Sequence, residues 1–199
     1  MADAAFETPE LPVGSAGKRA GGWWGMLALI ATEASLFAYL IFSYLYLASQ
    51  TTQHWPPDGL PKLATGLAGT GVLLASSVMV WGCERLVRRG RKRLGALSMS
   101  AAIVLGIGFV ALQLKEWHDH PYTLSTNLYS SLYFTITGFH MVHVLVGLVV
   151  LALLLFWTAF GYFDEQRWSA LAIGGLYWHF VDVVWLFIFT TLYLTPYWF

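Results

Sequence analysis

The chain has 199 residues, of which 57% are hydrophobic and only 11% charged, and its eleven basic and eleven acidic residues leave a formal charge of zero. That balance provides no electrostatic footprint for nucleic acid or for an acidic partner. A soluble domain carries roughly a quarter charged residues and at this length buries only about 70% of its unfolded surface, so a mean hydropathy of +0.60 calls for a lipid bilayer as apolar solvent.

In chain order, residues 1–22 are polar and rich in Pro, Gly and small residues, and read as a mobile tail. An apolar run from Trp23 to about Ala48 is too long for the core of a signal peptide and reads as an uncleaved first span. Three prolines, a glycine and polar residues break it over Ser49–Pro61. The second span is predicted over 62–84, and a basic stretch, ERLVRRGRKR, follows from Glu84 to Arg93. The third covers 94–114, and polar residues return over Lys115–Asn127. The fourth covers 128–160, longer than a bilayer needs, so it tilts or projects. After the short loop Gly161–Trp168 the fifth covers 169–194. The expected fold is all-α, a polytopic transmembrane helical bundle of five spans in one domain, 23–199.

Nine of the eleven basic residues fall on one side of this arrangement: Lys18, Arg19, Arg85, Arg88, Arg89, Arg91, Lys92, Arg93 and Arg167. Only Lys62 and Lys115 fall on the other, so the positive-inside rule puts the amino terminus on the cytoplasmic side and the carboxyl terminus outside. The run from Arg85 to Arg93 is topogenic, and its charges also suit anionic lipid headgroups. Trp23, Trp24, Trp55, Trp117, Trp168, Tyr197 and Trp198 gather near span ends as an aromatic belt. Small residues in the second span (Gly66, Gly69, Gly71) and the third (Gly106, Gly108) fit close helix contact. There is no internal repeat of the kind inverted-repeat transporters carry. Cys83, the only cysteine, excludes an internal disulfide and any metal site built on two thiolates.

Five ionisable residues stand where the membrane should be. Glu33 lies ten residues into the first span, His140 and His143 near the middle of the fourth, His179 and Asp182 near the middle of the fifth. An ionisable group such as Asp costs about 2.5–3.5 kcal/mol at a helix centre on insertion scales. The spacing i, i+3 puts each pair on one helix face, so faces turned toward Glu33 would form one buried polar cluster at the midplane. Three chemistries suit such a cluster: an interhelical hydrogen-bond network, a proton or ion relay, and a metal site. The Glu-x-x-His pairs of di-iron bundles and a CxxCH haem attachment motif are missing, whereas spacing leaves open a haem held between two facing histidines.

The segments YSSLYFTITGFHMVHVLV (Tyr129–Val146), YWHFVDVVWLF (Tyr177–Phe187) and TEASLF (Thr32–Phe37) resemble subunit III of haem–copper terminal oxidases, and the likeness covers Trp23 to Tyr193. The resemblance implies a non-redox subunit of an aerobic cytochrome c oxidase, without a catalytic residue, metal or other cofactor of its own. Haem and copper would reside in partner subunits, with subunit I in direct contact, subunit II in the same complex, and structural phospholipids between them. It further implies support of subunit I stability, proton uptake and lipid-mediated oxygen access, in a bacterial plasma membrane or inner mitochondrial membrane. The family's membrane-buried glutamate matches Glu33, its GFHxxH histidines match His140 and His143, and its WHFxD pair matches His179 and Asp182. Many members have seven helices; this chain begins where their third begins. Trp157 replaces an arginine associated with lipid contact. Glutamate rather than aspartate at position 33 points to a cytochrome c oxidase over a quinol oxidase. A quinol-oxidase subunit or an accessory subunit of nitric oxide reductase is the alternative within this lineage. A stand-alone metalloenzyme or transporter is the alternative of another class.

Overall fold

The computed structural model describes residues 21–51, 55–57, 59, 61–163 and 168–197. Most of the expected polar tail at 1–22, together with Arg167 and Trp198, lies outside the described residues. The described chain forms five long helices: α1 (Gly21–Gln50), α2 (Leu63–Arg88), α3 (Lys92–Asp119), α4 (Leu128–Ala159) and α5 (Ser169–Phe189). All five, the last taken on to Tyr197, are long and apolar enough to cross a membrane, and the protein is an integral membrane helical bundle.

The span centres agree with the hydropathy reading, while the ends differ because helices stop at breakers and not where polarity begins. The third span, expected to finish near Leu114, continues to Asp119 and carries Lys115 and Glu116 in its last turns. It ends at His120, which precedes Pro121 and is extended with ψ 138°, as the proline ring requires. The second span likewise continues past Glu84 to Arg88. α4 starts at a capping box in which Asn127 Oδ1 accepts from the Ser130 amide at 2.8 Å and Ser130 Oγ accepts from the Asn127 amide at 3.0 Å. The fifth span leaves α-helical geometry after Phe189 for a π-helical turn, Thr190–Leu194, and a 3₁₀ turn, Thr195–Tyr197.

α2 and α3 form an antiparallel hairpin, α3 packs on α4, and α5 touches α1, α2 and α4. α5 is the central helix: 56% of its most apolar window is buried, against 6% for α1. The core is aromatic, with Trp178, Trp185, Tyr44, Tyr129, Tyr133, Tyr193 and Phe109 fully enclosed. Leu97, Val104, Val149 and Phe187 point outward, as suits helices solvated by lipid.

Close approach of the helices depends on two glycines facing one indole. A Cβ at Gly106 of α3 would lie 3.0 Å from Trp178 Cη2, and one at Gly147 of α4 would lie 2.7 Å from Trp178 Cε3. The same indole donates from Nε1 to Ser76 Oγ of α2 at 2.9 Å. Trp178 therefore locks four helices together, with hydrogen bonding on one side and bare backbone on the others.

Candidate functional site

The structure distributes the five intramembrane ionisable residues over three separate environments. Glu33 and His143 meet directly, with Oε2 and Nε2 3.0 Å apart across the α1–α4 contact. The other ring nitrogen of His143, Nδ1, lies 2.7 Å from the Phe139 carbonyl one turn back. A carbonyl only accepts, so Nδ1 carries a hydrogen and donates. With Nδ1 as donor, a hydrogen bond between Oε2 and Nε2 needs one further proton, either on a neutral acid facing an imidazole or on an imidazolium facing a carboxylate. The pair is net neutral in both forms. It is also not sealed: the side chains of His143 and Glu33 keep 14% and 29% of their exposure.

His140, three residues away, does not join them. Phe37, one turn beyond Glu33, packs edge-on against both His143 at 5.0 Å and His140 at 6.4 Å between ring centroids. His140 stacks on Trp185 at 5.0 Å and meets Phe109 edge-on at 5.8 Å. It is buried, and neither nitrogen has a hydrogen-bond partner among the described residues. His140 thus packs as one more aromatic ring of the core, and since His143 turns to Glu33 while His179 bonds Ser77, neither histidine of α4 faces His179 as a haem held between two histidines would need.

His179 and Asp182 turn toward α2. Ser77 Oγ is hydrogen-bonded to His179 Nδ1. Asp182 is buried beside the same serine, and its carboxyl oxygens have no partner within bonding geometry among the described residues. The expected single cluster is corrected in this respect: helix faces set by i, i+3 spacing are shared, but the rotation of α5 aims its pair at α2 and not at Glu33. Among the described residues no three His, Cys, Asp or Glu side chains converge as a metal ion would require.

Two interhelical hydrogen bonds are not legible in the sequence. Trp178 and Trp185, seven residues apart on α5, donate to hydroxyls of α2, Ser76 at 2.9 Å and Thr70 at 2.9 Å. Tryptophan in mid-span, away from the interfacial belt, is the signal that could have revealed them, because a buried indole N–H needs an acceptor.

The basic residues read as lipid-headgroup candidates gather at one end of the bundle. The Arg85 guanidinium lies 3.8 Å from the Trp81 ring centroid, and that of Arg88 4.2 Å from Trp168. Arg88 also pairs with Glu84 at 3.4 Å, and Lys92 Nζ donates to the Gly161 carbonyl at 3.3 Å. Arg85, Arg88 and Arg89 line a recess of about 400 Å³. Arg91 stands in the connection between α2 and α3, and Arg93 in the first turn of α3.

Comparison with known proteins gives this geometry a family. The profile described as Cytochrome c oxidase subunit III matches residues 14–198. The "Cytochrome c oxidase subunit 3" of Danio rerio is 33% identical over 177 residues, covering 85% of this chain and 68% of the relative. Those of Pan troglodytes and Homo sapiens are 34% and 33% identical over 178 residues, with the same coverage. A five-helix membrane bundle that carries a Glu33–His143 pair and matches this profile over almost its whole length is a member of the cytochrome c oxidase subunit III family.

Proposed function

We propose that this subunit supports the catalytic subunit I of its oxidase by stabilising it and by helping to supply protons, and that it performs no redox step and binds no haem or metal itself. The observation that carries this reading is the Glu33–His143 pair. It brings Oε2 and Nε2 to 3.0 Å, lies within a membrane span, and remains partly exposed on the bundle surface. A pair that is neutral in either protonation arrangement is tolerated at membrane depth. The His143–Phe139 bond uses the other ring nitrogen, so it does not depend on the Glu33 contact.

Other features support the wider reading. Six basic residues from Arg85 to Arg93 stand at the end of the bundle that carries the amino terminus of α1, which favours a cytoplasmic amino terminus and an outside carboxyl terminus in a bacterial plasma membrane or inner mitochondrial membrane. A groove at that end has Lys92 and Arg93 above Ala96, Leu97 and Leu155. Its layout suits a phospholipid, and apolar oxygen would partition along the same acyl-filled path. The relatives' names favour cytochrome c as electron donor.

The test uses the purified oxidase driven by reduced cytochrome c. Glutamine at position 33 keeps the shape and donates to His143 Nε2, so Glu33→Gln should assemble normally, resist modification by a hydrophobic carbodiimide, and slow proton uptake during sustained turnover. Normal proton uptake in a fully assembled Glu33→Gln complex would sink the proton role. A complex that oxidises quinol but not cytochrome c would overturn the donor assignment.

A further inference from the structure

A row of polar side chains closes the end of the bundle opposite the basic residues, where α3 gives way to α4. His120, which ends α3, stacks on Tyr122 with 4.6 Å between ring centroids. Its Nε2 lies 3.1 Å from the Tyr133 hydroxyl of α4, and that hydroxyl lies 3.2 Å from the hydroxyl of Tyr193 in the π-helical turn. Tyr193 shares a side-chain hydrogen bond with Glu116, one turn before His120. The row therefore runs from a carboxyl through two hydroxyls to an imidazole. Its members differ in access. Tyr133 and Tyr193 are buried, and Glu116 keeps only 8% of its exposure, with its Oε1 enclosed and without a hydrogen-bond partner among the described residues. His120 is half-buried and lines a pocket of about 470 Å³, which Glu116 only borders.

We propose that Glu116 is a buried proton-binding site, and that Tyr193, Tyr133 and His120 form the path by which its proton enters and leaves. Each member of the row can both give and receive a hydrogen, which a relay through enclosed side chains requires. A protonated His120 passes its Nε2 hydrogen to Tyr133 Oη, the Tyr133 hydrogen moves to Tyr193 Oη, and the Tyr193 hydrogen moves to the Glu116 carboxylate. One N–H and two O–H bonds break and three O–H bonds form. His120 and Glu116 end neutral, and neither tyrosine is charged before or after. The surroundings of His120 suit a group that hands its proton on. Burial and then the charge of Lys62, from the segment before α2, lower its pKa from 6.5, with Asp119 of α3 opposing them. Lys62 also faces Glu116, and Tyr122 and the neutral Gln113 amide flank Tyr133. None of these residues belongs to the Glu33–His143 pair, so the proposal does not depend on the proton role assigned to that pair.

The experiment follows the carboxyl itself. Infrared spectra of the purified oxidase, with the full chain in place, are recorded at mildly acidic pH while water is exchanged for heavy water. The carboxylic acid band of Glu116 is the one lost in Glu116→Gln. In the wild type it should be present and should move promptly to its deuterated position. Tyr133→Phe, which keeps the ring and removes the hydroxyl, should slow that movement about 100-fold, the low end of what a positioned proton-transfer group contributes. His120→Gln, at a half-buried position, should slow it in the same sense. A variant that merely loosened the bundle would exchange faster, so slowing separates a severed path from a packing defect. Exchange in either variant as fast as in the wild type would overturn the path. A spectrum with no acid band lost in Glu116→Gln at any pH the complex tolerates would overturn the proton-binding site.

Discussion

The contact of Trp178 with two glycines yields the sharpest stability prediction. In Gly147→Ala the new methyl would stand 2.7 Å from Trp178 Cε3 and 2.8 Å from Cζ3, where ordinary contact begins at 3.4 Å. The indole would have to retreat by 3.4 − 2.7, or about 0.7 Å. Its retreat is limited, because Nε1 is tethered to Ser76 at 2.9 Å and the far edge of the ring already faces the Gly106 backbone of α3. Overpacking of this kind costs about 1–3 kcal/mol. The assay is thermal unfolding of the purified complex in mild detergent, with Gly138→Ala on the same helix as control, because nothing lies within 4 Å of its Cβ position. Trp178→Phe, which removes the crowded atoms, should restore part of the loss in a double variant, since changes that share a partner are not additive. Gly147→Ala as stable as Gly138→Ala, or no recovery in the double variant, would refute the argument.

Two other outcomes follow from the ionisable groups. Asp182 is buried beside Ser77, and Asp182→Asn keeps its shape and an acceptor for that hydroxyl, so the change should cost less than the about 1–3 kcal/mol of an unsatisfied buried group; a larger loss, measured by the same unfolding assay, would mean that its charge is used. His120, just outside the third span, has its pKa lowered from 6.5 by burial and then by the Lys62 charge, partly opposed by Asp119. An unfolded chain therefore binds the His120 proton at higher pH than the folded one, and stability should fall as pH drops through about 6.5 and below. His120→Gln should flatten that part of the pH profile in unfolding measurements between pH 7.5 and 5.5, and Lys62→Gln should weaken it; profiles identical to the wild type would rule out this titration.

How much of the site could be read in the chain depended on the kind of information each residue carries. Glu33, His140, His143, His179 and Asp182 were conspicuous because charge is costly in lipid, and that cost is a property of composition and position. Their grouping was not legible. Phe37 between His143 and His140, and the Ser77–His179 bond, are set by the rotation of α1 and α5 about their own axes. Hydropathy falls at Lys115 and puts Glu116 beyond the span, whereas the helix persists to Asp119.

By itself the sequence determined the number of spans, their centres and the asymmetry of basic charge, because bilayer thickness, backbone hydrogen bonding and headgroup electrostatics act on each segment independently. Its segments around Glu33, His143 and Asp182 also carried the family. Only the tertiary structure decided which polar group meets which. That Glu33 bonds His143 while His140 stacks on Trp185, and that one indole fits between Gly106 and Gly147, follows from helix rotation and close packing among all five spans. Those are properties of neighbours far apart in the chain, which no periodicity along a single helix encodes.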